Sequence, residues 1–269
     1  MSTLHLWSAR LAVSLVFVGG WTYLARDPDV AFFIGHPLDV LQRVWAGFSS
    51  GEGTLPLEWR GRPLANLTFP GTVYPHLIVT LVETLLAFVL GLLSGLGTGL
   101  WLALSPRLSQ VLSPFIKAAN AIPRVVLAPL FVMWFGLGMS SKVALAVTLV
   151  FFVVFFNVYQ GVREVNPALL ANVRLLGASR TQLIRTVYLP AAMTWMFSSL
   201  HTVVGLAFVG AVVGEYLGAS RGIGYLILQA EASFDVNGIM AGIVVLTACA
   251  LALDALVGVV ERRLLRWQP

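Results

Sequence analysis

Long apolar runs, separated by short polar stretches, organise most of this chain. Six of them approach or exceed the length of about 20 residues that an α-helix needs to cross a bilayer: residues 11–25, 84–106, 121–138, 143–162, 186–214 and 236–260. Only Arg124 and Asp254 place a charge inside these runs. The pattern predicts an all-α integral membrane protein with about six transmembrane helices.

One polar segment, residues 163–190, interrupts the apolar pattern with a concentration of basic residues. It contains a single acidic residue, Glu164, and the arginines Arg163, Arg174, Arg180 and Arg185. Loops on the cytoplasmic side of a membrane carry an excess of Lys and Arg. The segment is therefore predicted to be cytoplasmic, and in a six-span topology this places both termini in the cytoplasm as well.

The same segment carries local signals for a helix, a glycine break and a second helix. Asn166 followed by Pro167 is typical of an N-cap with proline at the first helical position. Apolar residues then recur at helical spacing, and Gly177 is placed to end the helix. Ser179 with Gln182 three residues later predicts a capping box for the second helix. We expect a short, rigid helical element on the cytoplasmic face.

Residues 1–72 are predicted to form a separate N-terminal region, with one span followed by a polar extracytoplasmic segment. A cleaved signal peptide is the alternative for the first apolar run. The Gly and Pro content of residues 26–73, for example at 51–63, favours loops over a packed domain. Residues 37–48 have an amphipathic pattern that predicts a helix lying on the membrane surface, or else a linker with a few buried anchors.

Glycines at regular spacing predict places where helices approach closely. Gly91, Gly95 and Gly99 share one helix face and allow another backbone to come near, for which packing within the chain is favoured over a dimer seam. The long run at 186–214 offers further close-approach positions: Gly205, Gly210 and Gly214.

Composition narrows the class of protein. Of the 269 residues, 58% are hydrophobic and 11% charged, and the mean hydropathy of +0.87 lies far outside the range of soluble proteins. The net charge of +5 comes from basic residues scattered between apolar runs, so nucleic-acid binding is not expected. The single cysteine, Cys249, excludes an intrachain disulfide or a cysteine metal site.

Polar residues within or beside the spans are candidates for a translocation pathway. We place Arg124, Asn157 and Glu215 in that group, with a snorkelling interfacial position as the alternative for Arg124. Glu83 is interpreted as a helix-start residue at the interface. His201 is interpreted as a histidine that hydrogen-bonds between helices rather than as a catalytic group.

Catalytic and nucleotide-binding motifs are absent from the sequence. It contains no Walker A loop, no HExxH, no CxxC and no GxSxG, so neither a catalytic residue nor a metal site nor a cofactor is expected in this chain. A transporter needs only a pathway and a means of driving it, which makes transport the favoured function.

The cytoplasmic segment resembles the signature loop of permease subunits of ABC importers. In that loop a glycine follows an EAA triplet, and an apolar residue, any residue, Leu and Pro come later. Here RLLGASRTQLIRTVYLP supplies the matching residues Gly177, Val187, Leu189 and Pro190. The triplet departs from the pattern, because it reads Ala171, Asn172 and Val173 and lacks the acidic residue.

Two further stretches, residues 122–138 and 212–227, resemble the branch of these permeases that serves nitrate, sulfonate and taurine. The three motifs occur in order and cover most of residues 75–260. The region before residue 73 carries little resemblance.

The resemblance implies a type I ABC importer permease in a bacterial inner membrane. Its core would be residues 73–269, with the coupling loop at 163–190. The implied partners are a second copy of the chain, two cytoplasmic ATPase subunits that hold ATP and Mg²⁺, an extracytoplasmic solute-binding protein and the bilayer. The residues expected to contact the ATPase are Leu169, Leu170, Val173, Arg174, Leu176, Gly177, Ala178, Ser179 and Arg180.

The implied solute is a small organic or inorganic anion, such as a sulfonate, taurine, nitrate or a carboxylate, or else a small heterocycle. Two alternatives remain at this point. One is a stand-alone secondary transporter or channel. The other is a membrane enzyme that uses His201 with Glu215 or Asp254.

Overall fold

The computed structural model of the chain describes residues 3–59 and 62–264, and they divide into two compact units. One unit comprises the residues up to Ile78 together with Arg221–Ala248. The other comprises Val79–Ser220 together with the residues from Cys249 onward. The long helices α4 (Val73–Ala103) and α13 (Val236–Leu264) each contribute to both.

Besides its parts of α4 and α13, the first unit has four helices and a β-hairpin among the described residues. These elements are α1 (Thr3–Leu24), α2 (Pro28–Ile34), α3 (Pro37–Ser49), β1 (Gly53–Trp59), β2 (Arg62–Phe69) and α12 (Ile223–Ala232). The amphipathic helix predicted at 37–48 is present as α3, which buries Val40 and exposes Leu38, Leu41 and Trp45.

The hairpin contradicts the loops expected at residues 51–63. Strands β1 and β2 pair in antiparallel register, with Thr54 opposite Thr68 and Leu55 opposite Leu67. Cross-strand pairs of β-branched and aliphatic side chains stabilise such a ladder, and Pro56 is tolerated because an edge strand leaves one N–H position free of the ladder. Pairing between segments therefore outweighed the local Gly and Pro signal.

The second unit is helical and centres on α7 (Met139–Arg163). Around it lie α5 (Pro106–Ala121), a 3₁₀ turn (Arg124–Leu127), α6 (Ala128–Phe135), α8 (Pro167–Leu175), α9 (Arg180–Leu183), a π-helical turn (Ile184–Tyr188), α10 (Leu189–Ser198) and α11 (Leu200–Gly218). Helix α7 packs against α6, α10 and α11, and its valines Val150, Val154 and Val158 are fully buried.

The regularly spaced glycines of α4 lie against α7, as the preference for packing within the chain predicted. A Cβ at Gly91 would come within 2.5 Å of Val150, one at Gly95 within 2.8 Å of Val154, and one at Gly99 within 2.9 Å of the Phe155 carbonyl oxygen. Gly210 and Gly214 similarly allow α11 to approach α7, whereas Gly205 has no neighbour within 4 Å. The missing side chains set the spacing of the central helices.

The number of spans differs from the six predicted. Among the described residues four helical stretches are long and apolar enough to cross a membrane, namely Val73–Ala103, Met139–Arg163, Leu200–Ala232 and Val236–Arg263, and a pair bent by 83°, Pro106–Ala121 with Arg124–Phe135, makes up to five. Proline lacks a backbone N–H and disfavours a helical residue before it, so the expected run at 121–138 is broken at Ile122 and Pro123. The run at 186–214 is divided at Ser199.

Candidate functional site

The 163–190 segment has the caps that its sequence predicted. The Asn166 side chain accepts a hydrogen bond from the Ala168 N–H at 2.8 Å and begins α8. Gly177 has a φ of +82° and ends the turn after that helix. Ser179 and Gln182 hydrogen-bond reciprocally, at 2.7 Å and 3.3 Å, and form the capping box of α9. Helix, glycine break and second helix are all confirmed.

The exposed apolar residues of the segment differ from the predicted set, because two predicted residues are half-buried and one further leucine is exposed. Leu169 is exposed, and Leu176, just after the helix, is 87% exposed. Leu170 and Val173 are half-buried and therefore present less surface to a partner. Leu175 is 86% exposed, although helical spacing alone did not select it. The remaining members of the predicted set lie on the surface, with Ala178 half-buried: Arg174, Gly177, Ala178, Ser179 and Arg180.

The segment is attached to the helices of its unit at both ends. On one side, Gln160 of α7 donates a hydrogen bond to the Glu164 carboxylate at 2.6 Å. On the other side, Leu183 and Val187 are buried, and the chain stays helical into α10. There Trp195 lies so close to α7 that a Cβ at Gly161 would come within 2.7 Å of it. The segment is thus continuous with α7 at one end and with α10 at the other.

The three pathway candidates are not brought together. The Arg124 guanidinium donates to Asn120 and lies 4.9 Å from the centre of the Phe152 ring, while its Nε is buried with no partner among the described residues. Asn157 is half-buried on α7. Glu215 is fully buried next to Lys142, which is about 22 Å from Asn157 along α7 at the usual helical rise. A shared pathway for the three stays a prediction.

Glu215 belongs instead to a buried charge cluster, which we define as Thr80, Glu83, Lys142 and Glu215. All four side chains are at most 3% exposed. The Thr80 hydroxyl donates to the Glu215 carboxylate at 2.6 Å, and Glu83 and Glu215 hydrogen-bond to each other. The Lys142 ammonium interacts with both carboxyl groups and donates to the carbonyl oxygens of Leu137 and Gly138.

Sequence reasoning had separated the members of this cluster. Glu83 was interpreted as an interfacial helix-start residue, and this is wrong, because it lies well inside α4 and is 1% exposed. Lys142, which stands in the sequence between two apolar runs, lies in the first turn of α7. A signal existed in that each charge adjoins a long charge-free run, yet nothing in their spacing showed that they would meet.

A second polar cluster, which we call the His201 cluster, joins α11 to α13. The two ring nitrogens of His201 lie 2.6 Å from the Asp254 carboxylate and 3.0 Å from the Glu261 carboxylate. The interpretation of His201 as a histidine bonded between helices is confirmed. Of the two alternative partners named for an enzymatic role, Asp254 contacts His201, whereas Glu215 belongs to the buried charge cluster.

Comparison with known proteins shows the family. Residues 87–266 match the binding-protein-dependent transport system inner membrane component family. A riboflavin transport system permease protein of Chloroflexus aurantiacus is 36% identical over 96% of this chain and 88% of that protein. A putative aliphatic sulfonates transport permease protein of Bacillus subtilis is 33% identical over 75% of this chain and 73% of that protein.

The same comparisons correct one expectation and support the fold. Since the match to the riboflavin permease covers 96% of the chain, similarity extends into the region before residue 73, where little was expected. The inward-facing MetNI methionine ABC transporter has a chain with a TM-score of 0.59 and 20% identity, over 70% of this chain and 92% of that one. The fold is thus that of a type I ABC importer permease.

Family and fold leave the stand-alone transporter and the membrane enzyme without support. Permeases of this family are multi-pass membrane proteins that work with an ATPase and a binding protein. The chain belongs to the binding-protein-dependent transport system inner membrane component family and is the permease subunit of an ABC importer, a transport subunit rather than an enzyme.

Proposed function

We propose that two identical copies of this permease enclose the pathway and that each carries one cytoplasmic ATPase subunit on its 163–190 segment. ATP and Mg²⁺ are held by those partner subunits. Both termini face the cytoplasm of a bacterial cell, and a solute-binding protein delivers the solute at the opposite face. The basic character of the 163–190 segment supports this orientation.

The observation that carries the docking proposal is the exposed apolar surface of α8. Leu169, Leu175 and Leu176 expose about half or more of their side chains. They lie in or just after a helix that Asn166 caps and that is followed by the turn at Gly177. Exposed apolar patches rimmed by polar residues mark interaction sites. Arg174 and Arg180 flank these leucines, and they form the polar rim of the proposed contact.

The missing acidic residue of the signature triplet changes the nature of this contact. Ala171 is exposed where the family pattern has a carboxylate, so no ion pair can form from that position. Leu175 and Leu176 add apolar surface four and five residues further on. The grip on the ATPase therefore rests on apolar burial and on arginines, and it is less sensitive to salt than a contact built on ion pairs.

For the solute we propose a small heterocycle of the flavin type, with a small sulfonate-like anion as the second candidate. The similarity to the riboflavin permease runs through 96% of the chain, whereas the similarity to the sulfonate permease covers 75%. The longer match supports a shared solute class. An assay that loads the partner binding protein with riboflavin or with an alkanesulfonate, and measures ATPase stimulation of the reconstituted complex, separates the two.

Docking is tested by a substitution at Gly177 with a matched control. Gly177 and Gly136 have similar φ values, +82° and +77°, and neither has a neighbour within 4 Å of a built Cβ. Each change to Leu imposes comparable backbone strain, but only Gly177 lies in the docking segment. We expect Gly177→Leu to reach the membrane, to lose ATP-driven uptake and to lose ATPase on co-purification.

Gly136→Leu should keep the ATPase bound. Normal uptake by Gly177→Leu, or equal loss of ATPase in both variants, would contradict docking at this segment. Because ATPase co-purification needs no solute, a failure to find the solute leaves this test intact.

A further inference from the structure

The buried charge cluster lies at the end of α7 that is opposite the docking segment. Lys142 is in the first turn of α7, Glu215 is in the last turn of α11, and Glu83 with Thr80 comes from α4. At Gly214 the α11 backbone approaches so closely that a Cβ would be 3.0 Å from the Cα of Lys142. Three helices thus converge on three ionisable side chains that are almost fully buried.

Burial on this scale limits the net charge that the cluster can carry. An unbalanced charge taken out of water costs several kcal/mol or more, so a cluster of this kind must be close to neutral. The charged groups that act on Glu83 are Glu215 from α11 and Lys142 from α7. Two ionised carboxylates against one ammonium would leave a net negative charge, and one proton removes it.

The hydrogen bonds favour Glu83 as the carboxyl group that carries that proton. A hydrogen bond between two carboxyl groups requires an O–H on one of them. Glu215 already accepts from the Thr80 hydroxyl, as an ionised carboxylate would. On Glu83, Oε2 is buried and no described residue hydrogen-bonds it, which costs much less for a neutral acid than for a carboxylate.

We propose that Glu83 binds a proton and donates it to Glu215, so that the pair carries one negative charge, which Lys142 balances. The cluster is then a neutral latch that holds α4, α7 and α11 together at this end. Lys142 also holds the turn after α6, because its ammonium donates hydrogen bonds to the carbonyl oxygens of Leu137 and Gly138.

The latch links this end of the helices to pH. If α4 separates from α7 and α11, water enters and stabilises the ionised form of Glu83, so that separation releases the proton. By linkage, rising pH favours the separated arrangement. A Gln at position 83 cannot release a proton, and it keeps the cluster neutral against Glu215 and Lys142.

Infrared spectroscopy of the purified full chain tests the proton directly. The difference spectrum between wild type and Glu83→Gln at neutral pH should show the loss of one protonated carboxylic acid C=O band, with the carboxylate bands unchanged. Asp254→Asn, an exposed control, should lose a carboxylate band instead. Loss of a carboxylate band in Glu83→Gln would overturn the proposal.

A second variant extends the test without relying on transport. Lys142→Met removes the balancing cation, so Glu215 should take up a proton as well and the acid band should gain intensity. If that variant does not fold, Glu83→Gln alone decides, because glutamine has nearly the shape of a protonated glutamate.

An uptake assay tests the link between the proton and helix separation. In vesicles that contain the complete complex, the pH dependence of riboflavin or alkanesulfonate uptake on the alkaline side should flatten in Glu83→Gln. An unchanged profile would overturn the link to separation.

Discussion

The two ends of α7 carry polar residues of opposite kinds. At the Arg163 end, polar side chains are exposed and their hydrogen bonds are local, such as Ser179 with Gln182. At the Met139 end, charged side chains are fully buried and meet across the chain, as Thr80 meets Glu215 from 135 residues away. The polar groups at the Arg163 end are accessible to a partner, whereas those at the Met139 end contact one another and nearby backbone groups.

This difference decides what a substitution at each end can do. An exposed residue contributes little to the stability of the isolated chain, so changes in the docking segment should act on assembly and transport. A buried charge is balanced only by its partners, so changes in the charge cluster should act on the chain itself. The four predictions below test that division.

The largest effect is expected for Lys142→Met. Breaking a buried ion pair by removing one partner costs about 3–5 kcal/mol, and thermal unfolding in detergent should show it as a lower midpoint. The loss should shrink as the pH falls, because the proton that Glu215 takes up in the folded variant is then easier to bind. Lys117→Met is the control, because Lys117 is exposed, and equal midpoints for the two variants would refute the division.

The next effect is expected for the double change Leu175→Ser and Leu176→Ser. Both side chains are almost fully exposed, so the unfolding midpoint should not move. If the ATPase covers them, its affinity should fall at least about tenfold, or about 1.4 kcal/mol, in a titration of the purified permease. Phe234→Ser changes an exposed apolar residue outside the segment and should leave affinity unchanged. Unaltered binding by the double variant would place the contact elsewhere.

A smaller effect is expected for Ser179→Ala, which removes the capping box of α9. Loss of an N-cap side chain costs about 0.5–2 kcal/mol, and here the cost should be confined to the first turn. Hydrogen exchange at the Gln182 amide should become faster, while exchange in the middle of α7 should not change. Ser179→Asp retains a capping oxygen and should restore protection, and failure of this rescue would argue against a capping role.

The smallest effect is expected for the exposed ion pair of Arg43 and Asp235 in the first unit. Partial burial raises the pKa of Asp235, but hydrogen bonds from the Arg43 guanidinium and the Gly238 N–H outweigh it, so the net pKa is lowered. The stabilisation is therefore present above the usual aspartate value of about 4 and is lost as the pH falls below it.

Asp235→Asn should accordingly lower the free energy of unfolding by about 0.2–1 kcal/mol at neutral pH, as is usual for exposed ion pairs. Its unfolding midpoint should converge with that of the wild type in acid. A loss of stability at neutral pH as large as that of Lys142→Met would contradict the distinction between exposed and buried charges.

The two capped helices and the glycine turn of the 163–190 segment could be predicted from sequence almost to the residue, whereas docking at this segment stays a prediction. Its caps at Asn166 and Ser179 and its turn at Gly177 depend on neighbours within a few positions, so the chain encodes them locally. The glycines at 91, 95 and 99 likewise predicted a close helix contact. The exposure of Leu175 was not predicted, because the choice between adjacent leucines depends on the exact rotation of a short helix against the helices it packs on.

The sequence by itself determined the membrane class, the helical segments, the caps of the 163–190 segment and the resemblance to ABC importer permeases. Only the tertiary structure decided the breaks at Pro123 and Ser199, the hairpin pairing and the meeting of Glu83, Lys142 and Glu215. The physical reason is the separation along the sequence of the residues that interact. Caps, periodicity and hydropathy are set by neighbours along the chain, whereas the partner of a buried charge is set by helices that pack together from distant parts of it.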